Sequence, residues 1–457
     1  MRVAPVTDPE IIEGYNTDAL GYRGAPEGLF RPADEAEVRE ILEWASAERR
    51  AVTPVGLRSS TTGSCVAPSG YLLSLERFQA PPDIRPDTCT AVVQPGLNLA
   101  ELKAQLEAQG LFFPPDPTSE PDCCIGGAVA TNASGARSLK YGAVRNWVRR
   151  LRVVLASGET LELHAAAVDK NAAGYYGFQD PIQFFIGSEG TLGVITEIEL
   201  RCLPLPADYL ALYAFFPTEA MALAAAASFR DSAPGVRCLE YFDGGSLALI
   251  RDEKGAPVPA GAGGMLFVEE EAPAGGVDAL LEAWLERLEG SGARVDDTMV
   301  GDTRARKEEM KALRHAIPST LNERGIRCRD AGGGKVSTDW AVHYRRIAAM
   351  FPAVRAICRA HGLEDVYGYG HVGNGHPHFN IVAADAEAKA RARAAVHEMC
   401  RLVQAAAGTV SAEHGIGKVK KEFLPYCFPP RAIDWMRAFK RELDPALILA
   451  PGNIFDF

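Results

Sequence analysis

The chain has 457 residues, 47% apolar and 23% charged, a balance that supports a buried core and excludes a disordered polymer. Its 48 basic and 59 acidic side chains give a net charge of −11, which excludes the broad basic face that nucleic-acid binding needs. No apolar run is long enough for a membrane-crossing helix, and the opening MRVAPVTDPEII lacks the regions of a signal peptide, so a protein of the cytoplasm, or one peripheral at a membrane, is expected.

In the first two hundred residues, Asp34 and Glu37 predict the capped start of a helix with Val38, Ile41, Leu42 and Ala45 on one face. A short strand from Ala51 runs into a glycine and hydroxyl stretch, Pro54 to Gly63. YLLSL and CTAVV read as further strands, and Asn98 caps a helix with Leu99, Leu102 and Leu106 on its core face, ended by Gly110. The following segment, FFPPDPTSEPDCCIGGAVATNASGARSLKYGAVRN, reads as a loop of more than thirty residues, a length that asks for a functional or packing reason. Its glycines permit close backbone approach and offer N–H groups, as a pyrophosphate requires. RLRVVLASGETLELHA reads as a hairpin, and IGSEGTLGVITEIEL as a second compact loop with a long strand.

From 207 to about 430, strands (LALYAFF, GGMLFVEE and the stretch around Lys335 to Val342) alternate with helices (MALAAAASFRDS, GVDALLEAWLERLEG, ARKEEMKALRHAIPSTLNER and VHEMCRLVQAAAG), an order that predicts an α+β domain with an antiparallel sheet. Gly368, Gly370 and Gly373 satisfy GxGxxG, but Asn374-Gly-His-Pro follows rather than a helix opening, so no NAD site is expected. Gly332-Gly-Gly-Lys335 lacks the first glycine of a phosphate-binding P-loop. The ten cysteines contain no CxxC pair and read as mostly buried thiols.

The strongest chemistry lies in YGYGHVGNGHPHFNIVA and TVSAEHGIGKVKKE. His376 and His378 share a face if their segment is extended, and His371 can return to it around Gly373 and Gly375. Two imidazoles and a carboxylate make a divalent-cation set, and isolated core histidines are the competing reading. His164, His343, His361 and His397 read as structural or solvent-facing. Arg314 reads by itself as an exposed charge on a helix. A last helix spans about Ala432 to Leu443.

Taken together, these loops resemble the first domain of the vanillyl-alcohol-oxidase type of flavoproteins. Almost the whole chain resembles the FAD-linked D-2-hydroxyacid dehydrogenases, the group of D-lactate, glycolate-oxidase-subunit and D-2-hydroxyglutarate dehydrogenases. The matching pieces are Pro54 to Gly63, Pro115 to Ser119, Ile125 to Gly127, Asn132 to Gly135, Tyr141-Gly142 and Ile186 to Gly193. The resemblance implies an α+β fold: a two-part FAD-binding domain over 1–206, an α+β antiparallel-sheet cap over 207–430 for substrate and metal, and a C-terminal segment, 431–457, returning toward the FAD. The active site is expected between domain and cap.

The cofactor contacts it implies are Pro54, Gly56, Arg58, Ser59, Ser60, Thr61 and Gly63; Pro115, Thr118 and Ser119; Gly126, Gly127, Asn132, Ser134 and Gly135; Tyr141 and Gly142; Gly187, Glu189, Gly190 and Gly193; and Asn453. Family members often carry PxGGGTS in the first loop, whereas this chain reads PVGLRSST. Arg58 thus replaces a glycine and either pairs with the pyrophosphate or crowds it. That loop has no histidine for a covalent flavin link, so FAD is expected to be non-covalent.

The family pattern HxGDGNxH, followed later by EHG, matches His371 to His378 and Glu413-His414-Gly415. It implies His371, His378 and Glu413 as ligands of zinc or manganese and His414 as the base. His376 stands where asparagine is common and either supports the ligands from behind or competes for the metal. LRHA places Arg314 where relatives meet the substrate carboxylate, a task its planar donors suit. Lys335 is not assigned. The expected reaction is FAD-dependent oxidation of a D-2-hydroxy acid to a 2-oxo acid, D-lactate favoured, with D-2-hydroxyglutarate or glycolate as alternatives. Electrons pass to an acceptor other than NAD: a quinone, a cytochrome, an electron-transfer flavoprotein or oxygen. Two readings of different class stand beside it: a metal-dependent hydrolase, from the His/Glu cluster, and a non-catalytic flavin-binding subunit, from the altered first loop.

Overall fold

The computed structural model describes residues 3–168 and 170–457. The chain divides into two units, one of Met1–Gly135, Gly142–Leu205 and Glu413–Phe457, the other of Ala136–Tyr141 and Pro206–Ala412. Local chemistry explains why the short segments fall as they do. Ala136 lies in the apolar core of the second unit, and Arg137 and Lys140 there pair with Glu269 (3.1 Å) and Glu271 (2.5 Å). In the first unit, Glu189 and Thr62 bind the backbone of residues 416–418.

The first unit holds two main sheets. One is parallel, in the order Gly28–Phe30, Tyr71–Ser74, Val52–Val55. The helix Glu35–Ala47 covers it. Asp34 accepts the amide of Glu37 at 2.9 Å, and the Glu37 carboxylate returns to the amide of Ala33 at 2.6 Å. These contacts satisfy two donors that a helix start leaves open. Val38, Ile41, Leu42 and Ala45 are fully buried with Phe30, Val52 and Leu73. Each large apolar side chain sealed in this way contributes about 1.5–3 kcal/mol.

The other sheet is antiparallel, in the order Asp83–Arg85, Thr90–Val93, Val194–Arg201, Val148–Val154, Thr160–His164. Its last two strands are the expected hairpin, turned at Gly158 with φ +84°. The chain terminus lies beside Val52, whose amide and carbonyl bond to Ile448 and Ala450.

The long Pro/Gly segment is not all loop. It contains the helices Ile125–Ala130 and, in the second unit, Ser138–Tyr141. Its composition hid two short turns that tertiary packing stabilises.

The second unit is built on a seven-stranded antiparallel sheet in the order Met299–Gly301, Asp208–Phe216, Gly264–Ala272, Val236–Asp243, Val366–His371, His376–Asp385, Gly332–Ser337. This is the α+β antiparallel arrangement expected of the cap. The GxGxxG stretch closes a hairpin: Val366–His371 ends in a short turn, Gly375 takes φ +73°, and His376–Asp385 returns antiparallel. Pairing Gly332–Ser337 at the edge, rather than 335–342, shortens the strand expected there. The central strand Val236–Asp243, with every residue buried, was absent from the sequence expectations. All ten cysteines are free thiols. Among the described residues, no helix is long and apolar enough to cross a membrane.

Candidate active site

In the first unit, the loop after Val52–Val55 is half-buried and rich in hydroxyls. Ser60 Oγ meets Thr62 Oγ1 (3.3 Å) and Ser64 Oγ (2.8 Å), and the Gly63 amide is held by Asp18 at 2.9 Å. The consecutive amides of Arg58, Ser59, Ser60 and Thr61 have no acceptor among the described residues. Four such donors in a half-buried loop fit a pyrophosphate. Arg58 has φ +63°, the left-handed region where glycine is ordinary, and its guanidinium stacks 4.6 Å over the Tyr15 ring.

Other expected cofactor residues divide by task. Asn132 also has positive φ, at +50°, and Gly187 turns at +78°. Gly135 admits no side chain, since a Cβ would stand 2.2 Å from the Asp116 carbonyl. Gly126 packs as closely on Pro95, and Gly193 on Val153. Pro115 offers its carbonyl to Lys103 (3.0 Å). Gly56, Gly127, Thr118, Gly142 and Gly190 fall in the same unit, while Tyr141 belongs to the second.

Glu189 and Asn453 are engaged inside the protein. Glu189 accepts the amides of Ile416 and Gly417, both at 2.7 Å. The amide nitrogen of Asn453 donates to the carbonyls of Ser64 and Glu189, and Lys418 donates to its oxygen. These contacts fix the loop that carries Glu413 and His414. Ser134 Oγ donates to the Glu413 carboxylate at 2.9 Å.

In the second unit, the hairpin sets the histidines by register. His371 pairs with His376 and Tyr369 with His378, so all three imidazoles share one sheet face. Their ring centroids are 4.5–5.7 Å apart, and each offers a ligand atom within 4.8 Å of the others. His378 Nδ1 faces the Thr338 carbonyl at 3.3 Å, and His376 Nε2 meets Asp339 Oδ1 at 3.1 Å. His371 Nδ1 lies in close ionic contact with Glu240. A ligating histidine commits one nitrogen to a carbonyl or carboxylate in this way while the other takes a metal, so the donor set fits zinc or manganese. Ala412, at the end of this unit, donates to the Asp339 carbonyl at 2.8 Å, and Glu413 follows it in the chain.

Arg314, on the helix Arg304–Arg327, is buried rather than an exposed charge. Its Nε and Nη2 bind the two oxygens of Glu240, and Nη1 lies 2.8 Å from His315 Nε2. Burial alone would raise the Glu240 pKa, but the charge of Arg314 and the contact with His371 outweigh it and hold the carboxyl well below its ordinary range.

One functional candidate escaped the sequence reading, and another, Lys335, was left unassigned by it. Glu240 lies on the unanticipated strand. Lys335 pairs in register with Val382, and Ser337 with Asn380, which puts Lys335 on the histidine face. Its half-buried amine has no acceptor among the described residues, and burial lowers its pKa to about 8.

The family of FAD linked oxidases, through the model of its C-terminal domain, matches residues 205–454, and an FAD binding domain model matches 26–164. The chain belongs to the FAD-linked oxidases. FAD is its cofactor and redox chemistry its activity, which displaces the metal-hydrolase and passive-subunit readings.

This FAD-linked oxidase is 33% identical to a D-2-hydroxyglutarate dehydrogenase of Xanthomonas citri pv. viticola, covering 98% of this chain and 94% of that one. It is 29% identical to glycolate oxidase subunit GlcD of Bacillus subtilis (96% and 92% covered) and 28% to a D-lactate dehydrogenase of Anaerostipes hadrus (97% and 93%). Its fold is that of p-cresol methylhydroxylase, with a TM-score of 0.73 at 15% identity over 99% of this chain and 94% of that one.

Proposed function

We propose that this FAD-linked oxidase converts a D-2-hydroxy acid to the 2-oxo acid, and that the acid is D-2-hydroxyglutarate. Bound FAD supplies the acceptor for the hydride leaving C2. A divalent cation held by His371, His378 and Glu413 supplies charge against the developing alkoxide. Arg314 binds the C1 carboxylate through its guanidinium, whose plane Glu240 sets. His414 takes the hydroxyl proton on an imidazole nitrogen. Loss of that proton and the C2 hydride leaves the ketone. The loop of Arg58 to Thr61 carries the pyrophosphate, and FAD stays non-covalent because that loop offers no histidine.

The observation that carries the choice of substrate is Lys335. A monocarboxylate such as D-lactate gives this half-buried amine no counter-ion, whereas the second carboxylate of a dicarboxylate does. The 33% identical relative supports the same choice over the D-lactate favoured by sequence alone. The test is anaerobic bleaching of the flavin band by D and L forms of 2-hydroxyglutarate, lactate and glycolate. D-2-hydroxyglutarate is expected to bleach fastest by kcat/KM. Faster bleaching by D-lactate would overturn the choice of substrate, and no bleaching by any hydroxy acid would overturn the reaction.

A further inference from the structure

Glu240 is the most completely buried acid beside the histidines, at 1% exposure, and it touches two groups with different tasks. Its Oε1 lies against His371 Nδ1 and also accepts from Arg314 Nη2 at 2.9 Å, while Oε2 accepts from Arg314 Nε. Strand register puts it there. Tyr241 and Phe242 pair with Gly370 and Tyr369, so Glu240 comes next along the strand, opposite His371 and on the same face.

We infer that Glu240 is a positioning residue that orients His371 for the metal and Arg314 for the substrate carboxylate through one carboxylate. The close contact of Nδ1 with Glu240 commits that side of the His371 ring and leaves Nε2 as the nitrogen for the cation. The side-on grip on Nε and Nη2 of Arg314 sets the plane of the guanidinium that meets the substrate carboxylate. A glutamine has no charge and one acceptor oxygen, so it turns an NH₂ group on one of the contacts that the two carboxylate oxygens now make. Ion pairing confined to fold stability would instead lower stability without selecting between metal and substrate.

The substrate half of this inference rests on the proposed 2-hydroxy acid oxidation; the metal half does not. The experiment uses the full-length, flavin-loaded protein. Mn²⁺ and Zn²⁺ are titrated without substrate, and KM is measured with D-2-hydroxyglutarate. Glu240→Gln is expected to weaken metal binding by roughly 10–100-fold and raise KM roughly tenfold, with flavin content unchanged. Arg314→Lys should raise KM while leaving metal affinity within about twofold, and the two KM effects should not add in the double variant. Glu240→Asp, which keeps the anion, should recover much of the metal affinity.

If Glu240→Gln does not fold, the charge-neutral pair Glu240→Gln/Arg314→Gln replaces it, with the same loss of metal affinity expected. Wild-type metal affinity in the folded variant, or wild-type protein that binds neither cation, would overturn the inference. Wild-type protein that binds metal but oxidises no hydroxy acid would overturn the reaction instead, and the metal titration of Glu240→Gln would still decide the role of Glu240.

Discussion

Glu189 holds the backbone of Ile416, accepting its amide at 2.7 Å while its second oxygen takes the amide of Gly417 at the same distance. The contact has no room to shift, because a Cβ on Gly415 would stand 2.6 Å from the same carboxylate. Two buried donors, two and three residues beyond His414, thus depend on one acid. Glu189→Gln keeps the volume but leaves one amide facing an NH₂ group. The expected cost is about 1–3 kcal/mol of stability, the penalty for an unsatisfied buried donor. Flavin reduction should slow as well, because the loop of His414 loses an anchor. Thermal unfolding and stopped-flow reduction check this, and unchanged values in both would show that the latch is redundant.

Acid stability gives a separate test within the second unit. Glu269 is buried between Arg137 (3.1 Å) and Arg237 (2.9 Å). Burial pushes its pKa up, but the two arginines prevail and hold it at about 2. Unfolded, a glutamate titrates near about 4.3. A pKa depressed by folding contributes stability that is present above the unfolded value and lost as pH falls toward the folded one. Here that loss runs from about pH 4.3 to about pH 2 and is on the order of 3 kcal/mol. Glu269→Gln should therefore be less stable at neutral pH and lose less between pH 4 and 2. Denaturant midpoints across that range measure it, and a slope equal to the wild type would remove Glu269 from the acid transition.

The metal assignment separates two neighbouring histidines. His378 directs Nδ1 at a backbone carbonyl and His376 directs Nε2 at the Asp339 carboxylate, either of which suits a ligand, and the resemblance to the family pattern gives the role to His378. His378→Ala is expected to lose the stoichiometric metal. His376→Ala should retain it with affinity weakened by about tenfold, the effect of removing a supporting group. Metal analysis of purified, flavin-loaded variants reads this directly. Complete loss in His376→Ala would make it a ligand.

Lys335→Met tests the second carboxylate. The change keeps the apolar stem and removes the charge. For D-2-hydroxyglutarate, kcat/KM should fall by about 10–100-fold, the scale of a charge-assisted contact. For D-lactate it should stay within about twofold. Equal losses for both acids would show that Lys335 supports the fold rather than the substrate.

How much of this was legible in the sequence follows from what each residue is paired with. The histidine hairpin was readable because alternation and glycine spacing are local properties. The helix of Glu35–Ala47 was readable for the same reason, from its cap and its apolar period. Val236–Asp243 was not. Arg237 and Glu240 interrupt its apolar pattern, yet both are buried, because their charges are met by Glu269 on one side and by Arg314 and His371 on the other. Those partners are remote in sequence, so no window of neighbouring residues contains the compensation. The expectation that Arg314 is an exposed helix charge would fail for the same reason. Glu189 and Asn453 matched the family loops, but their engagement with 416–417, Ser64 and Lys418 depends on how the tail returns.

The base is the last assignment. His414 stands in the loop that Glu189 anchors, and its carbonyl accepts from Thr62 Oγ1 at 3.4 Å. Imidazole titrates near neutral pH, and a cation close by favours its neutral, proton-accepting form. Glu413 is the rival. Its carboxylate already accepts from Ser134, and metal ligation would commit its charge further. His414→Gln keeps a polar side chain of similar reach but cannot accept the hydroxyl proton at neutral pH. It should retain FAD and metal while flavin reduction slows by roughly 10²–10⁴-fold, the usual contribution of a positioned general base. The slow variant should also lose the pH dependence of reduction expected of the wild type. Rapid anaerobic mixing with protiated and 2-deuterated substrate across pH reads both effects and keeps hydride transfer distinct from proton transfer. Near-normal reduction in the folded, metal-loaded variant would move the base role to Glu413, and loss of the metal with the imidazole would make His414 a ligand instead.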